Sequence, residues 1–301
     1  MTGLQALCKL NFIRENYYNK LGRVAMSKEE LKKAVREGYA KIVKKERSCC
    51  APVSSCCGNT DWREDISKKI GYSDQELKSV PAGANLGLGC GNPIALASLR
   101  EGETVMDLGS GAGFDSFLAA ARVGKTGKII GVDMTPEMID RARANAYKGG
   151  YRNVEFRLGE IEHLPAADQS VDVIISNCVI NLSPDKAQVF RETFRVLKPG
   201  GRLMVSDIVL LHELPEVIKN SIDAYIGCLG GALLRDEYLS MIRAAGFQDV
   251  EIVDETYFPL ECMANDQTVK TRIKKANITP EDLDELGTTI LSIKVTGKKP
   301  L

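Results

Sequence analysis

Between residues 104 and 209, short apolar runs alternate with stretches of helical period, the pattern of βα units building a parallel sheet covered on both faces. The apolar runs predict strands over 104–108, 128–133, 154–158, 171–176 and 201–209. Between them the pattern predicts a helix over 113–123. A second helix is capped by Thr135, has Pro136 in its first turn, and carries Ile139, Ala142 and Ala146. A third spans 183–197 and is stopped by Pro199, Gly200 and Gly201. Upstream, Leu31, Ala34, Val35, Tyr39, Ile42 and Val43 recur at three and four. They predict a helix over 28–47, with Ser27 as cap and Glu29 and Glu30 in its first turn, lying as a lid or flank on the core. A loop over 48–60 comes next, then a short helix from Asp61 to residue 70, an irregular stretch over 73–86 containing Pro81 and Gly83, and a short helix over 93–99. Beyond residue 209 the pattern loosens. Helices are predicted over 213–225, 237–245 and 278–286, with strands through Val250 and Val253 and over 288–295. The chain divides accordingly into 1–25, an N-terminal extension without period; 26–85, helical and cysteine-rich; 86–209, the core; and 210–301, which completes the sheet. No internal repeat interrupts this order.

The first core strand runs into a glycine turn, Val105 to Phe114 reading VMDLGSGAGF, and then into a helix. Gly109, Gly111 and Gly113 allow a backbone that other residues resist, and the helix beyond offers unpaired N–H groups to a ligand. Such a turn alone says little. Its weight comes from the residues at the later strand ends. Asp133 closes the second strand, where an acid can take a ribose diol; Glu160 and Ile161 leave the third; Asn177 leaves the fourth. In an open parallel sheet these strand ends form one crevice. The spacing of the glycines, two apart, does not match the GxGxxG turn of nicotinamide enzymes. The run DLGSGAGFD resembles the first motif of the class I S-adenosylmethionine methyltransferases, and KPGG at 198–201 resembles the entry to their fifth strand. That resemblance implies S-adenosylmethionine as cofactor. Asp107, Gly109, Gly111 and Gly113 would lie around its amino-acid and ribose parts. Asp133 would bind the ribose hydroxyls, Met134 would lie on the adenine, Glu160 would accept from the adenine amino group with Ile161 beside the ring, and Asn177 would sit near the methionine end.

Lysine plus arginine equals aspartate plus glutamate at 40 each, so no basic surplus points to nucleic acid and no acidic block to a solvating tail. No apolar run approaches the ~20 residues a membrane span requires, and no secretory leader is evident, so the expected location is the cytoplasm. There, nine cysteines call for a soft metal or metalloid, or for thiol redox chemistry. Cys49, Cys50, Cys56 and Cys57 come as two doubled pairs. Cys90 sits in the glycine-dense segment LGLGCGN, Cys178 directly after the fourth strand, and Cys228 in the glycine corner GCLGG. No CxxC pair is present and His163 and His212 have no ligand spacing, so a four-coordinate zinc site is not indicated. Three thiolates suit a three-coordinate thiophilic centre.

The combination LGCGNP, DLGSGAGFD, SNCVINL and AYIGCLGGAL is similar to the arsenite S-adenosylmethionine methyltransferases. The resemblance covers about residues 27–299. It implies a Rossmann-like class I domain with a mostly parallel seven-stranded sheet, and Cys90, Cys178 and Cys228 as the arsenic-binding and catalytic thiols. It also implies arsenite and methylarsenite as substrates, and thioredoxin or glutathione as reductant between methyl transfers. An upstream thiol among Cys49, Cys50, Cys56 and Cys57 would take part in loading or redox chemistry. Two other readings keep parts of this pattern: a methyltransferase of a small organic substrate with Cys178 merely lining its pocket, and a non-enzymatic metalloid-binding protein, which would need no methyl-donor site.

Overall fold

A computed structural model describes residues 26–45, 62–93, 98–214, 216–219, 228–258 and 287–301. Helix α1 (Lys28–Lys45), α2 (Trp62–Lys69) and α3 (Asp74–Ser79) precede the sheet. Then come β1 (Thr104–Leu108), α4 (Phe114–Val123), β2 (Lys128–Asp133), α5 (Pro136–Gly149), β3 (Val154–Leu158) and β4 (Val171–Asn177). They are followed by α6 (Lys186–Val196), β5 (Leu197–Leu210), α7 (Glu216–Lys219), α8 (Arg235–Ala244), β6 (Gln248–Tyr257) and β7 (Ile290–Lys298). The seven strands form one sheet in the order β3-β2-β1-β4-β5-β7-β6. Neighbours from β3 to β5 pair in parallel, while β7 runs antiparallel to both β5 and β6. The order reverses between β1 and β4, and it is at such a switch point that ligands enter an open α/β sheet.

The central strands are buried on both faces because helices cover both. Val105, Met106, Leu108, Val173, Ile174 and Ile175 lie on alternating faces, each fully or almost fully buried. On one face α6 and α8 pack with Phe190 edge-to-face on Tyr238, ring centroids 5.5 Å apart. On the other, Phe117 of α4 meets Phe156 and Tyr151.

The apolar stripe of α1 is buried as its spacing predicts. Leu31, Ala34 and Val35 pack against Cys90, Cys178, Leu182 and Cys228, so the helix closes over the carboxyl edge of the sheet. Several local expectations change. The stretch 73–86 is not irregular throughout: Ser73 and Glu76 form a reciprocal capping box that starts α3. Thr135 stands at the N-terminus of α5 but its side chain makes no cap; Asp133 Oδ1 accepts from the Thr135 N–H instead, at 2.8 Å. The third core helix begins at Lys186, after a 3₁₀ turn over Ile180–Leu182, with Asp185 as its cap. Pro199, Gly200 and Gly201 do not separate it from the next strand. They lie inside β5, where the β4 register shifts between Val171 and Val173. The helices predicted over 93–99, 213–225 and 278–286, the Asp61 cap, the first 25 residues and the doubled cysteines fall wholly or largely outside the described residues. Among the described residues, no helix is long and apolar enough to cross a membrane.

Phe190 is fully buried at the centre of the α6–α8 contact. Phe190→Ala should cost about 3–5 kcal/mol of unfolding free energy in urea titrations; a loss below about 1 kcal/mol would contradict this packing.

Candidate active site

A cleft of about 1070 Å³, including its open mouth, lies over the carboxyl ends of β1, β2 and β4. Gly109, Ser110 and Gly111 form its floor, Asp133 and Met134 one wall, and Cys178 and Val179 its inner end, with Lys32, Val35 and Tyr39 of α1 above. Gly109 holds φ +67°, and a Cβ there would lie 2.4 Å from Val179 Cγ2; only glycine allows the turn to pass beneath this residue. Asp133 ties the second strand to the glycine loop, its Oδ2 accepting from the Gly111 N–H at 3.0 Å. Burial pushes its carboxyl above the usual range. Ser110 keeps a buried hydroxyl without a partner among the described residues. An acid at a strand end, an unpaired hydroxyl and a glycine floor are the groups that a nucleoside with a charged tail engages, and the residues fit S-adenosylmethionine.

Two residues expected at this cleft stand elsewhere. Gly113 does not line it. Its φ of +95° starts α4, and a Cβ would meet Phe117 and Phe156 at 2.7 Å, so packing fixes this glycine. Glu160 does not line it either. Its carboxylate accepts from Lys32 Nζ at 2.7 Å, while Gly159, Ile161 and the buried Glu162 form that wall. Glu162 is pinned by Ser183, whose hydroxyl donates to Oε1 at 2.6 Å, and lies 3.7 Å from Lys32 Nζ.

Beneath the glycines, in the lining of the same cleft, lies a buried acidic pair, Asp107 and Asp115. Asp107 accepts from Ser116 Oγ at 2.6 Å. Burial, reinforced by the neighbouring Asp115, holds its carboxyl well above the usual range. Asp115 accepts from Tyr72 Oη at 2.6 Å and from Asn177 Nδ2 at 3.0 Å, and burial pushes it up to about 6 against those two donors. Asn177 is therefore not a free donor at the cleft. Its Nδ2 reaches three acceptors, Tyr72 Oη, Gly91 O and Asp115 Oδ2, so its two hydrogens are shared, and its Oδ1 accepts from the Cys90 N–H at 3.1 Å. Neither Tyr72 nor Asp115 stands out in the sequence as a site residue; an acid just past the glycine turn is the available signal.

At the inner end the three predicted thiols meet. Cys90, Cys178 and Cys228 are free and buried. Cys228 Sγ donates to the Cys178 carbonyl at 2.9 Å, and Cys90 Sγ lies 3.6 Å from the Ser206 carbonyl. Hydrogen bonding with Cys228 and then with Cys90, together with burial, holds the Cys178 thiol well above the usual range; burial chiefly raises Cys90. Cys178 and Cys228 adopt left-handed backbones, φ +58° and +66°. That costs a residue with a side chain about 1–2 kcal/mol and persists only where the surroundings enforce it. For Cys178 the enforcing contact is its N–H, which donates to Ser206 O at 2.8 Å. Tyr39 Oη approaches Cys228 Sγ at 3.9 Å from the covering helix. Asp207, within β5, adds a carboxylate that the sequence pattern does not flag: the ligand atoms of Cys90, Cys178 and Asp207 all lie within 4.8 Å of one another. Its oxygens accept from Asn181 Nδ2, the Ile208 N–H and Tyr238 Oη, and burial pushes it up to about 7.

Residues 99–246 match the family model described as "Methyltransferase domain". The chain is 51% identical to the arsenite methyltransferase of Halobacterium salinarum, over 74% of this chain and 59% of that protein. It is 39% identical to that of Aquipseudomonas alcaligenes, over 74% of this chain and 63% of that protein. The matched region thus spans about three fifths of the length of these curated relatives. The crystal structure of the arsenic (III) S-adenosylmethionine methyltransferase of Chlamydomonas reinhardtii superposes with a TM-score of 0.58 at 31% identity, over 78% of this chain and 73% of that one. The chain belongs to the arsenite methyltransferase family.

Asp115 supplies a pH test. Its carboxyl is raised in the folded chain, so its contribution to stability is complete below the unfolded value of ~3.9 and is lost as pH rises through about 6. Urea unfolding of wild type and Asp115→Asn across that window should show a stability difference that narrows or reverses as pH rises. A difference independent of pH would contradict the assignment.

Proposed function

We propose that this chain transfers methyl groups from S-adenosylmethionine to trivalent arsenic held by Cys90, Cys178 and Cys228, giving methylated arsenicals in the cytoplasm. The observation that carries this reading is the double position of Cys178, which lines the inner end of the cleft and also packs in one cluster with Cys90 and Cys228, its sulfur within 4.8 Å of that of Cys90 and its carbonyl 2.9 Å from Cys228 Sγ. A methyl donor and a soft acceptor then share one wall. Asp133, Met134, Ile161 and the backbone at Gly109 and Gly111 would hold the donor, with Glu162 in the role first assigned to Glu160.

Loading is electrically silent. Arsenous acid is neutral, and so is arsenic bound by three thiolates; each thiol proton leaves in a water molecule formed from an arsenic-bound hydroxyl. Buried thiols suit this exchange, because no net charge enters a site where an unpaired ion would be costly. Three thiolates leave arsenic its lone pair, and no protein group has to remove a proton to expose it. S-adenosylmethionine, when bound, supplies an electrophilic sulfonium methyl. The protein's part is to fix the three sulfurs against the cleft, a contribution worth up to ~7–11 kcal/mol for well-oriented reactants. The cover of Leu31, Ala34, Val35 and Tyr39 keeps water out. Methylation raises arsenic formally by two electrons, and a thiol pair can return it by forming a disulfide that thioredoxin or glutathione reduces. Cys90 with one of Cys49, Cys50, Cys56 and Cys57 is the candidate pair.

Purified chain incubated with arsenite, a reducing thiol and methyl-labelled donor should yield labelled methylarsenicals; no labelled product would overturn the reading. Cys178→Ser and Cys228→Ser should each abolish that product while changing donor affinity less than about threefold. Turnover retained in either variant would remove the three-thiol acceptor.

A further inference from the structure

We propose that the acceptor chamber is also a site for a thiophilic divalent cation of the zinc class, bound by Cys90, Cys178 and Asp207 and excluding arsenic while it is there. The proposal rests on the reading of Cys90 and Cys178 as accessible acceptor thiols, and it adds a carboxylate for which a three-thiolate arsenic centre has no use.

Two sulfurs and one carboxylate oxygen, all buried, lie within 4.8 Å of one another. A tetrahedral zinc ion, with bonds of ~2.3 Å to sulfur and ~2.0 Å to oxygen, sets its donors ~3.5–3.8 Å apart. The three donors therefore need to contract by at most about 1.3 Å. Three protein ligands leave a fourth position open to water. The Asp207 oxygens are oriented by Asn181 Nδ2 at 2.9 Å, the Ile208 N–H at 3.0 Å and Tyr238 Oη at 3.0 Å, the kind of outer support that fixes a ligating carboxylate. The entry path is the cleft, which reaches Cys178.

Charge separates the two ligands. A divalent cation with Cys90 and Cys178 as thiolates and Asp207 as carboxylate leaves one negative charge. The buried Lys186, whose ammonium acts electrostatically on Asp207, offsets it. The two thiol protons pass to solvent. Neutral arsenic on three sulfurs requires neither Asp207 nor Lys186. The donor sets differ accordingly: arsenic requires Cys228 and not Asp207, while the cation requires Asp207 and not Cys228.

Cobalt(II) reports such a site directly, through thiolate-to-metal charge-transfer absorption and the intense visible bands of tetrahedral coordination. The experiment uses the full chain with the six other cysteines replaced by serine, beside wild type, each checked for an unchanged thermal transition. Cobalt should bind with both spectral features, and zinc should displace it. Arsenite, followed by protection of thiols from alkylation, should compete with both metals. Asp207→Asn should weaken cobalt at least tenfold and leave arsenite protection within threefold; Cys228→Ser should do the reverse. Cobalt binding unchanged in Asp207→Asn, or lost in Cys228→Ser, would overturn the proposal. Absence of the cobalt signature while arsenite still protects the thiols would overturn it and leave the arsenic reading standing. Failure of both ligands would overturn the two together.

Discussion

The carboxamide of Asn177 joins the floor of the cleft to the loop that carries Cys90. Its nitrogen donates toward Asp115, Tyr72 and the Gly91 carbonyl, and its oxygen accepts from the Cys90 N–H. One planar group therefore fixes the loop that carries Cys90 and the acidic network beneath the glycine floor, and does so from the last residue of β4, one position before Cys178. This link, and the Cys178 N–H on Ser206, tie the thiol cluster to the cleft that is proposed to hold the methyl donor. Asn177 ends β4 and Ser206 lies within β5, strands whose central residues, 173–176 and 203–210, are buried and so give the site a rigid base.

A second constraint is electrical. The inner site gathers three buried thiols and the carboxyl of Asp207, with Asp115 tied to the Cys90 loop through Asn177. Burial raises the carboxyls, and contacts with Cys228 and Cys90 raise the Cys178 thiol, so added negative charge is disfavoured here. A neutral acceptor exchanged for neutral waters disturbs none of this. A cation or an anion would have to be balanced by a group already present. The left-handed backbones at Cys178 and Cys228 store a little strain in the same place, and turn two cysteines from separate loops toward one centre.

The core strands are legible because each is a short apolar run bounded by turn residues, and because helices on both faces leave no polar alternation to confuse the period. Where sequence and structure part, a local signal competes with a tertiary one. Pro199 and Gly200 read as a stop, yet the chain continues through them as strand because β4 pairs on either side of the bulge. Pro81 and Gly83 mask the Ser73–Glu76 capping box a few residues earlier. After β3 the acids at 160 and 162 are equivalent by sequence; Lys32 on α1 reaches both, at 2.7 and 3.7 Å, and it is the Ser183 hydroxyl that holds Glu162 in the cleft wall. Asp207 is hidden inside an apolar strand, and Gly113 looks like a cleft glycine because Gly109 and Gly111, four and two residues before it, line the cleft. The meeting of Cys90, Cys178 and Cys228 rests on resemblance, since no spacing along the chain encodes a contact among three separate loops.

The central claim is three sulfurs sharing one arsenic. X-ray absorption at the arsenic edge of arsenite-loaded protein counts those neighbours directly. In the chain that retains only Cys90, Cys178 and Cys228, three sulfur neighbours and no oxygen are predicted. Two or fewer sulfurs, or a shell completed by oxygen, would contradict it.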